Sequence, residues 1–322
     1  MKKRIRVWCA TQDIRTTVLF YLDYLKELFE FEEAPDNPDY VFASNMDRFY
    51  LKYTGVRIWL TGENLIPDFN IVDYAIGFND INFGDRYLRW PIYCWGHTLA
   101  GFEKRRNLSL EKRPPTTRTK HSVCVVSNMS NRQGPFSEML NALECYKGVT
   151  YGGKWRNNIG GRVKDKEALL REHKFSIAFE NTSYPGYTTE KITDALMGGT
   201  IPIYWGDPDI SQCFNSKAFV NISPFDTVES VMERIKRIDA SPDVYESMLR
   251  EPIFTKQAVT EMGQDRIIHF MEHIFSQPWE LAFRRNRSRW GIKYENMLFR
   301  TYFNPFSQLF RLPKILWRRF RK

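Results

Sequence analysis

Apolar positions in this chain come as short continuous runs separated by stretches at helical spacing. Residues 5–10 (IRVWCA) make a run of strand length, and residues 16–29 place Leu19, Leu22, Leu25 and Phe29 at helical spacing, with Thr16 or Thr17 available as a cap. Further apolar runs follow at 40–44, 57–60 and 74–78. Alternating β and α segments with few hairpin signals predict a parallel sheet covered by helices. From 103 to 121 the chain turns basic and proline-bearing (EKRRNLSLEKRPPTTRTKH), which reads as an interdomain linker, and a strand at 122–127 starts a second series. In that series KFSIAF (174–179) is a predicted strand, 190–197 a predicted helix opened by Thr188 or Thr189, and 200–204 another β-rich run. Residues 175–205 have about the length of one right-handed βαβ crossover. The expected fold class is therefore α/β, with two Rossmann-like domains facing a cleft, 1–115 and 116–280, followed by a basic amphipathic tail, 281–322.

Composition narrows the class. With 322 residues, 43% hydrophobic and 26% charged, the chain can bury two sizeable cores, and collagenous, low-complexity and disordered classes do not fit. The net charge of +9 belongs to the tail: residues 281–322 hold 12 Lys and Arg against one acid, Glu295, which leaves the first 280 residues with 35 bases and 37 acids. A body near neutrality argues against a nucleic-acid-binding protein, which wants its cations on the folded domain. Five scattered cysteines without CxxC spacing argue against a zinc knuckle or a disulfide framework and point to a reducing compartment. Arg4 and Arg6 interrupt the apolar region a signal peptide would need, and no run of about 18 apolar residues could span a bilayer.

In open α/β sheets ligands collect beyond the carboxyl ends of the strands, which directs attention to the residues after KFSIAF, ENTSYPGYTTEK. A helix starting at Thr189 would present free N–H groups and its positive dipole end to an anion such as phosphate. Lys191 in the first turn opposes the dipole, so an anionic partner would explain it, and Glu190 could accept hydrogen bonds from a ribose or sugar diol. A capped helix with solvated first-turn charges accounts for the same spacing equally well.

FSIAFENTSYPGYTTEKITDALMGGTIPIYWG resembles the signature segment of the α1,3-fucosyltransferases of glycosyltransferase family 10, particularly their bacterial members, and the resemblance extends upstream through WLTGENLIPDFNIVDYAIGFNDINFGDRYLRWPIY. It implies two Rossmann-like domains of the GT-B type, a GDP-fucose donor and inversion at the anomeric carbon; separately, the cations Arg132 and Lys191 could meet the charge on departing GDP without a metal, so no metal and no cofactor is expected. By the same resemblance Asn181, Tyr187, Glu190 and Lys191 match the donor-site motif, with Lys191 at the diphosphate. Arg132, in SNRQGPF, resembles a family arginine at that diphosphate, and Glu63, in TGEN, matches the catalytic base. Chemistry fits these roles: inverting transfer needs one carboxylate to take the acceptor hydroxyl's proton and preorganised cations to meet the charge on departing GDP. The implied acceptor is an N-acetyllactosamine-like glycan, of a lipid-linked kind in bacterial members. An inverting transferase using another nucleotide sugar is the nearest alternative.

Other features read more modestly. DPD at Asp207 to Asp209 has the form of a metal-binding DxD, but its place after a strand suits a turn and cap. Gly152, Gly153, Gly160 and Gly161 flank a basic stretch that is either a donor-side loop or a set of turns. His97, His121, His173, His269 and His273 lack partners in sequence and read as solvated surface residues. Trp90, Tyr93 and Trp95 are either core or sugar platforms. In the tail, Phe299, Tyr302, Phe303, Phe306 and Phe310 are interleaved with cations, a pattern that suits an anionic membrane surface better than nucleic acid or a solvated tail. The expected location is cytoplasmic, peripheral at the inner face of the cytoplasmic membrane.

Overall fold

In the computed structural model, which describes residues 2–95, 99–127, 129, 133–222, 226–285 and 288–304, the strands form two all-parallel sheets. The first unit takes the residues up to Gly77, Ile81–Arg89 and the chain from Ile267 on; the second takes Phe78–Asp80 and Trp90–Arg266.

In the first unit, β1 (Lys3–Cys9), β2 (Phe29–Glu33), β3 (Tyr40–Ala43), β4 (Val56–Leu60), β5 (Tyr74–Gly77) and β6 (Tyr87–Arg89) lie in the order β2-β1-β3-β4-β5-β6. Burial alternates along β1, with Ile5, Val7 and Cys9 inside, whereas β3 to β5 are buried on both faces. Such strands need cover on both sides. Helix α1 (Arg15–Tyr24) supplies little of it, burying Val18, Tyr21 and Leu22. It ends before Phe29, contrary to the predicted helix over 16–29, because FEFEE repeats every second residue and pairs with β1 as β2. That two-residue period is itself a strand signal.

The second unit begins its elements with α2 (Leu99–Lys112), β7 (Lys120–Cys124), α3 (Phe136–Lys147) and β8 (Val149–Tyr151), then α4 (Lys166–Arg171), β9 (His173–Phe179), α5 (Glu190–Met197) and β10 (Ile201–Trp205). After β11 (Val220–Asn221) come α6 (Val228–Ala240), α7 (Pro242–Arg250), α8 (Lys256–Glu261) and α9 (Gln264–Ser276), in which the chain returns to the first unit. The strand order β8-β7-β9-β10-β11 repeats that of the first unit's β2-β1-β3-β4-β5. Both are doubly wound sheets whose order reverses beside the first strand, at β1/β3 and at β7/β9.

The expected linker at 103–121 is instead largely α2, and the unit boundary falls at Trp90. Two of its cations are taken inside: Arg106 is buried and donates to the Glu251 carbonyl at 2.5 Å and to Glu103 at 2.6 Å, while buried Arg118 donates to the carbonyls of His173 and Gly199. A basic run that looks like a solvated linker thus satisfies buried carbonyls.

The other boundary lies at Ile267, and the part of the tail described here belongs to the first unit's core. Phe275 of α9 packs edge-on against Phe31 and Tyr40, with ring centroids 5.4 and 5.0 Å away. After α10 (Trp279–Ala282), helix α11 (Arg289–Phe303) lays Tyr294, Leu298, Tyr302 and Phe303 on Val41, Ala43, Tyr50 and Trp59. A buried carboxylate fastens the connection. Asp73 accepts N–H bonds from Arg57, Arg284 and Arg285, each at 2.7 Å, and pairs with the Arg285 guanidinium, while Arg57 donates to Glu295 of α11 at 2.6 Å. Among the described residues no helix is long and apolar enough to cross a membrane. Phe306 and Phe310 lie outside the described residues.

Candidate functional site

The switch point of the second unit's sheet lies beyond the ends of β7 and β9. Strand β9 ends on the apolar Ile177, Ala178 and Phe179, and Glu180 continues its pairing by donating its N–H to the Trp205 carbonyl at 2.8 Å. The chain then loops through Asn181 to Thr188 before α5 starts. Thr189 is the N-cap of α5, its hydroxyl accepting from the Lys191 N–H, as the sequence anticipated. The loop after β7 comes to the same place: the Gln133 N–H donates to the Asn181 carbonyl at 3.1 Å, and Gly134, at φ +76°, lies against the Trp205 ring, where an added Cβ would stand 2.3 Å from it. Arg132, two residues earlier, lies outside the described residues.

Asn181, Tyr187, Glu190 and Lys191 are thus brought together on one loop and one helix start. Asn181 is half-buried and Glu190 exposed. The Tyr187 ring is buried, edge-on to Phe78 at 5.0 Å, so it helps to shape the loop. Lys191 is held from behind. Its Nζ donates to Glu180 Oε2 at 2.8 Å and to Thr189 Oγ1 at 3.0 Å, and the Glu180 carboxylate also accepts the Thr189 N–H at 2.7 Å and its hydroxyl. Glu180 is fully buried. Burial pushes its carboxyl up, against the pull of Lys191 and of the Thr189 bonds. Room for its side chain comes from Gly206, where a Cβ would stand 2.5 Å from Glu180 Cγ.

Asp207 has work inside the protein. One oxygen accepts the N–H groups of Gly186 at 2.8 Å and Asp209 at 2.9 Å, the other the Thr188 hydroxyl at 2.9 Å, and its own N–H donates to the buried Tyr204 hydroxyl. The DPD segment is therefore the clamp that shapes the YPGYTT loop. Neither Glu180 nor Asp207 carries a sequence signal for its role, because the partners of each become neighbours only when β9, α5 and β10 pack.

Glu63 stands in the first unit, just beyond the carboxyl end of β4, and is exposed. Its N–H is fixed by Thr61 Oγ1 at 3.1 Å, and the Thr61 hydroxyl in turn donates to Asn45 Oδ1 at 2.8 Å, tying the loops after β3 and β4 together. Nearby Asp68 accepts from Tyr294 at 2.6 Å, and Asp73 is consumed in the α11 clamp.

Several weaker readings resolve. Trp90 and Tyr93 are core residues, and half-buried Trp95 donates its indole N–H to the Trp90 carbonyl. The pair Gly152 and Gly153 permits close backbone approach: a Cβ on Gly153 would meet the Val126 carbonyl at 1.8 Å, so that pair packs the loop after β8 onto the end of β7. His269 and His273 are exposed as expected, but His121 and His173 are buried. Burial drives each down to about 4, so both are neutral at neutral pH. His173 Nδ1 lies 2.8 Å from the Leu169 carbonyl and so must donate, leaving Nε2 to accept from the Thr150 hydroxyl at 2.7 Å. His97 lies outside the described residues.

Comparison with known proteins extends this geometry. Residues 7–95 match the model of the α-(1,3)-fucosyltransferase FucT N-terminal domain, and residues 115–262 match that of the glycosyltransferase family 10 (fucosyltransferase) C-terminal region. The chain is 33% identical to the Helicobacter pylori α-(1,3)-fucosyltransferase FucT over 285 residues, 78% of this chain, and spans 60% of that relative's length. It is 35% identical to Drosophila melanogaster α-(1,3)-fucosyltransferase B over 131 residues, 37% of this chain and 29% of that protein. A solved α1,3-fucosyltransferase with GDP-fucose superposes with a TM-score of 0.71 at 26% identity, covering 89% of this chain and 94% of that one. Two matched domain models in the right order, a relative aligned over most of the chain and a superposing structure agree with the FEN, YTTEK and TIPIYWG segments, and the chain belongs to the fucosyltransferases of glycosyltransferase family 10.

Proposed function

We propose that this chain is an inverting α1,3-fucosyltransferase that transfers L-fucose from GDP-fucose to an N-acetyllactosamine-like glycan. The observation that carries the proposal is the start of α5, where a half-buried lysine stands in the first turn of the helix at the sheet's switch point, in a chain that superposes on a fucosyltransferase solved with this donor. Lys191 and Arg132 would hold the diphosphate, with Asn181, Tyr187 and Glu190 completing the donor site. Glu63 would take the proton of the acceptor hydroxyl as that oxygen bonds to the anomeric carbon and the bond from that carbon to the GDP oxygen breaks on the opposite face. The first unit would thus carry the base and acceptor, the second the donor. Charge on the leaving GDP would be met by two cations and the helix terminus, so no metal and no cofactor is required.

The acceptor is proposed to be lipid-linked and the protein peripheral on the inner face of the cytoplasmic membrane. The outward side of α11 supports this, with Arg289, Trp290, Lys293 and Arg300 exposed beside Ile292 and Met297.

The test is a transfer screen with guanosine and uridine diphosphate sugars on N-acetyllactosamine, run with and without EDTA. GDP-fucose alone should support turnover, and chelation should leave most of it. Turnover with another sugar nucleotide in place of GDP-fucose would overturn the donor assignment, and a metal requirement restored by titration would overturn the metal-free mechanism. Sedimentation with anionic liposomes checks the membrane proposal, which fails if the protein stays in solution.

A further inference from the structure

A lysine in the first turn of a helix works against the helix dipole, and here it is balanced from inside the protein by a carboxylate with no solvent exposure. Thr189 already caps α5, so the helix does not need Glu180. Nor does stability call for an ion pair here, since replacing a buried pair by apolar groups is generally neutral or favourable. What the carboxylate does achieve is geometric. Its two oxygens take the Thr189 N–H and hydroxyl and the Lys191 ammonium, and the Thr189 hydroxyl oxygen holds the ammonium from a second direction. An ammonium has three N–H groups. Two are used inside the protein, and the side chain keeps 23% of its surface exposed for the third.

We infer that Glu180 is a positioning residue for the transfer reaction: its buried carboxylate fixes the Lys191 ammonium at the start of α5 with one N–H directed to the donor's diphosphate. The inference rests on the proposal that Lys191 binds that diphosphate. It ascribes to Glu180 an effect that passes entirely through Lys191.

The experiment compares wild type, Glu180→Gln, Lys191→Ala and the double variant as full chains, with GDP-fucose and N-acetyllactosamine as substrates and GDP binding by calorimetry. Glutamine keeps the size and an acceptor oxygen but removes the charge. Glu180→Gln should raise KM for GDP-fucose about tenfold and lower kcat about tenfold, with acceptor KM unchanged. A purely structural role would lower kcat through the folded fraction and leave both KM values in place. In the Lys191→Ala background Glu180→Gln should add no more than about twofold. Thr189→Val keeps the N–H bond to Glu180 and removes the hydroxyl, which is both a contact to the ammonium and the cap of α5; it should raise donor KM by a few-fold with acceptor KM unchanged, a split that loss of the cap alone would not produce, and it decides the matter if Glu180→Gln does not fold. An unchanged donor KM in Glu180→Gln, or a penalty that persists in full without Lys191, overturns the inference. Wild-type GDP affinity in Lys191→Ala sinks instead the reading of Lys191 on which it rests.

Discussion

A carboxylate that takes a proton from substrate must be reachable, and this separates the three acids that follow β4. Glu63 is exposed, Asp68 holds the Tyr294 hydroxyl, and Asp73 is fully buried under three N–H groups and a guanidinium. Glu63→Gln should therefore lower kcat by about 10² to 10⁴ while GDP affinity stays at the wild-type value. Asp73→Asn should instead destabilise the first unit by about 3–5 kcal/mol, because it removes the buried carboxylate that pairs most closely with buried Arg285, whose other partner, Glu295, stands at 3.9 Å. Kinetics with calorimetry, and denaturant melts, distinguish the two; near-normal kcat in Glu63→Gln would remove it from the reaction. The buried histidines make a second residue-scale prediction. Both titrate near 4 in the folded protein and near the ordinary 6.5 when unfolded. Between these values the unfolded chain binds more protons, so their contribution is complete above pH 6.5 and is lost as pH falls toward 4. The groups facing His121 do not rescue it: Lys147 and Lys174 repel its proton, and Asp239 is already bonded to both lysines, which outweigh the rise that burial would cause and bring it to about 2. The second unit should lose stability on the order of a few kcal/mol between pH 6.5 and 4, and His121→Asn with His173→Asn should flatten that slope in thermal melts if burial of neutral rings is its source.

At the scale of elements, the site is a matter of how two loops are tied to one helix start. Gly134 has a positive φ and no space for a Cβ beneath the Trp205 ring, so Gly134→Ala must move the loop after β7 or tilt the ring. Overpacking of this kind costs about 1–3 kcal/mol, and Gly134 adjoins Gln133, whose N–H is bonded to the Asn181 carbonyl. The expected result is a fall of about tenfold or more in GDP affinity with a modest drop in Tm, and unchanged affinity would mean that this loop does not reach the nucleotide. Helix α5 was legible in advance, because Thr189, the apolar face of Ile192, Ala195 and Leu196, and the following strand obey local rules. Helix α2 was not, since its Arg106 looks solvated in sequence and only packing supplies the carbonyl it satisfies.

For the whole molecule, the C-terminal segment decides whether the first unit exists. Its strands β3 to β5 are buried on both faces, and the described cover comes from α9 and α11, more than 180 residues later in the chain. A chain ending at Gln277 loses the Arg285 clamp and α11 together, and each large apolar contact removed is worth about 1.5–3 kcal/mol, so it should aggregate or melt without a cooperative transition. Cooperative unfolding of the shorter chain would mean that the tail is dispensable to the fold. The sequence by itself determined the α/β class, most strand positions, the capped start of α5 and the signature residues around it, because these depend on periodicity, caps and loop chemistry within a few residues. Only the tertiary structure decided that the boundaries fall at Trp90 and Ile267, that a basic segment after Leu281 roofs a sheet, and that Glu180 and Asp207 brace the site. The physical reason is common to all of these: each depends on a partner distant along the chain, and burial turns a residue that would be solvated in isolation into one that must find that partner.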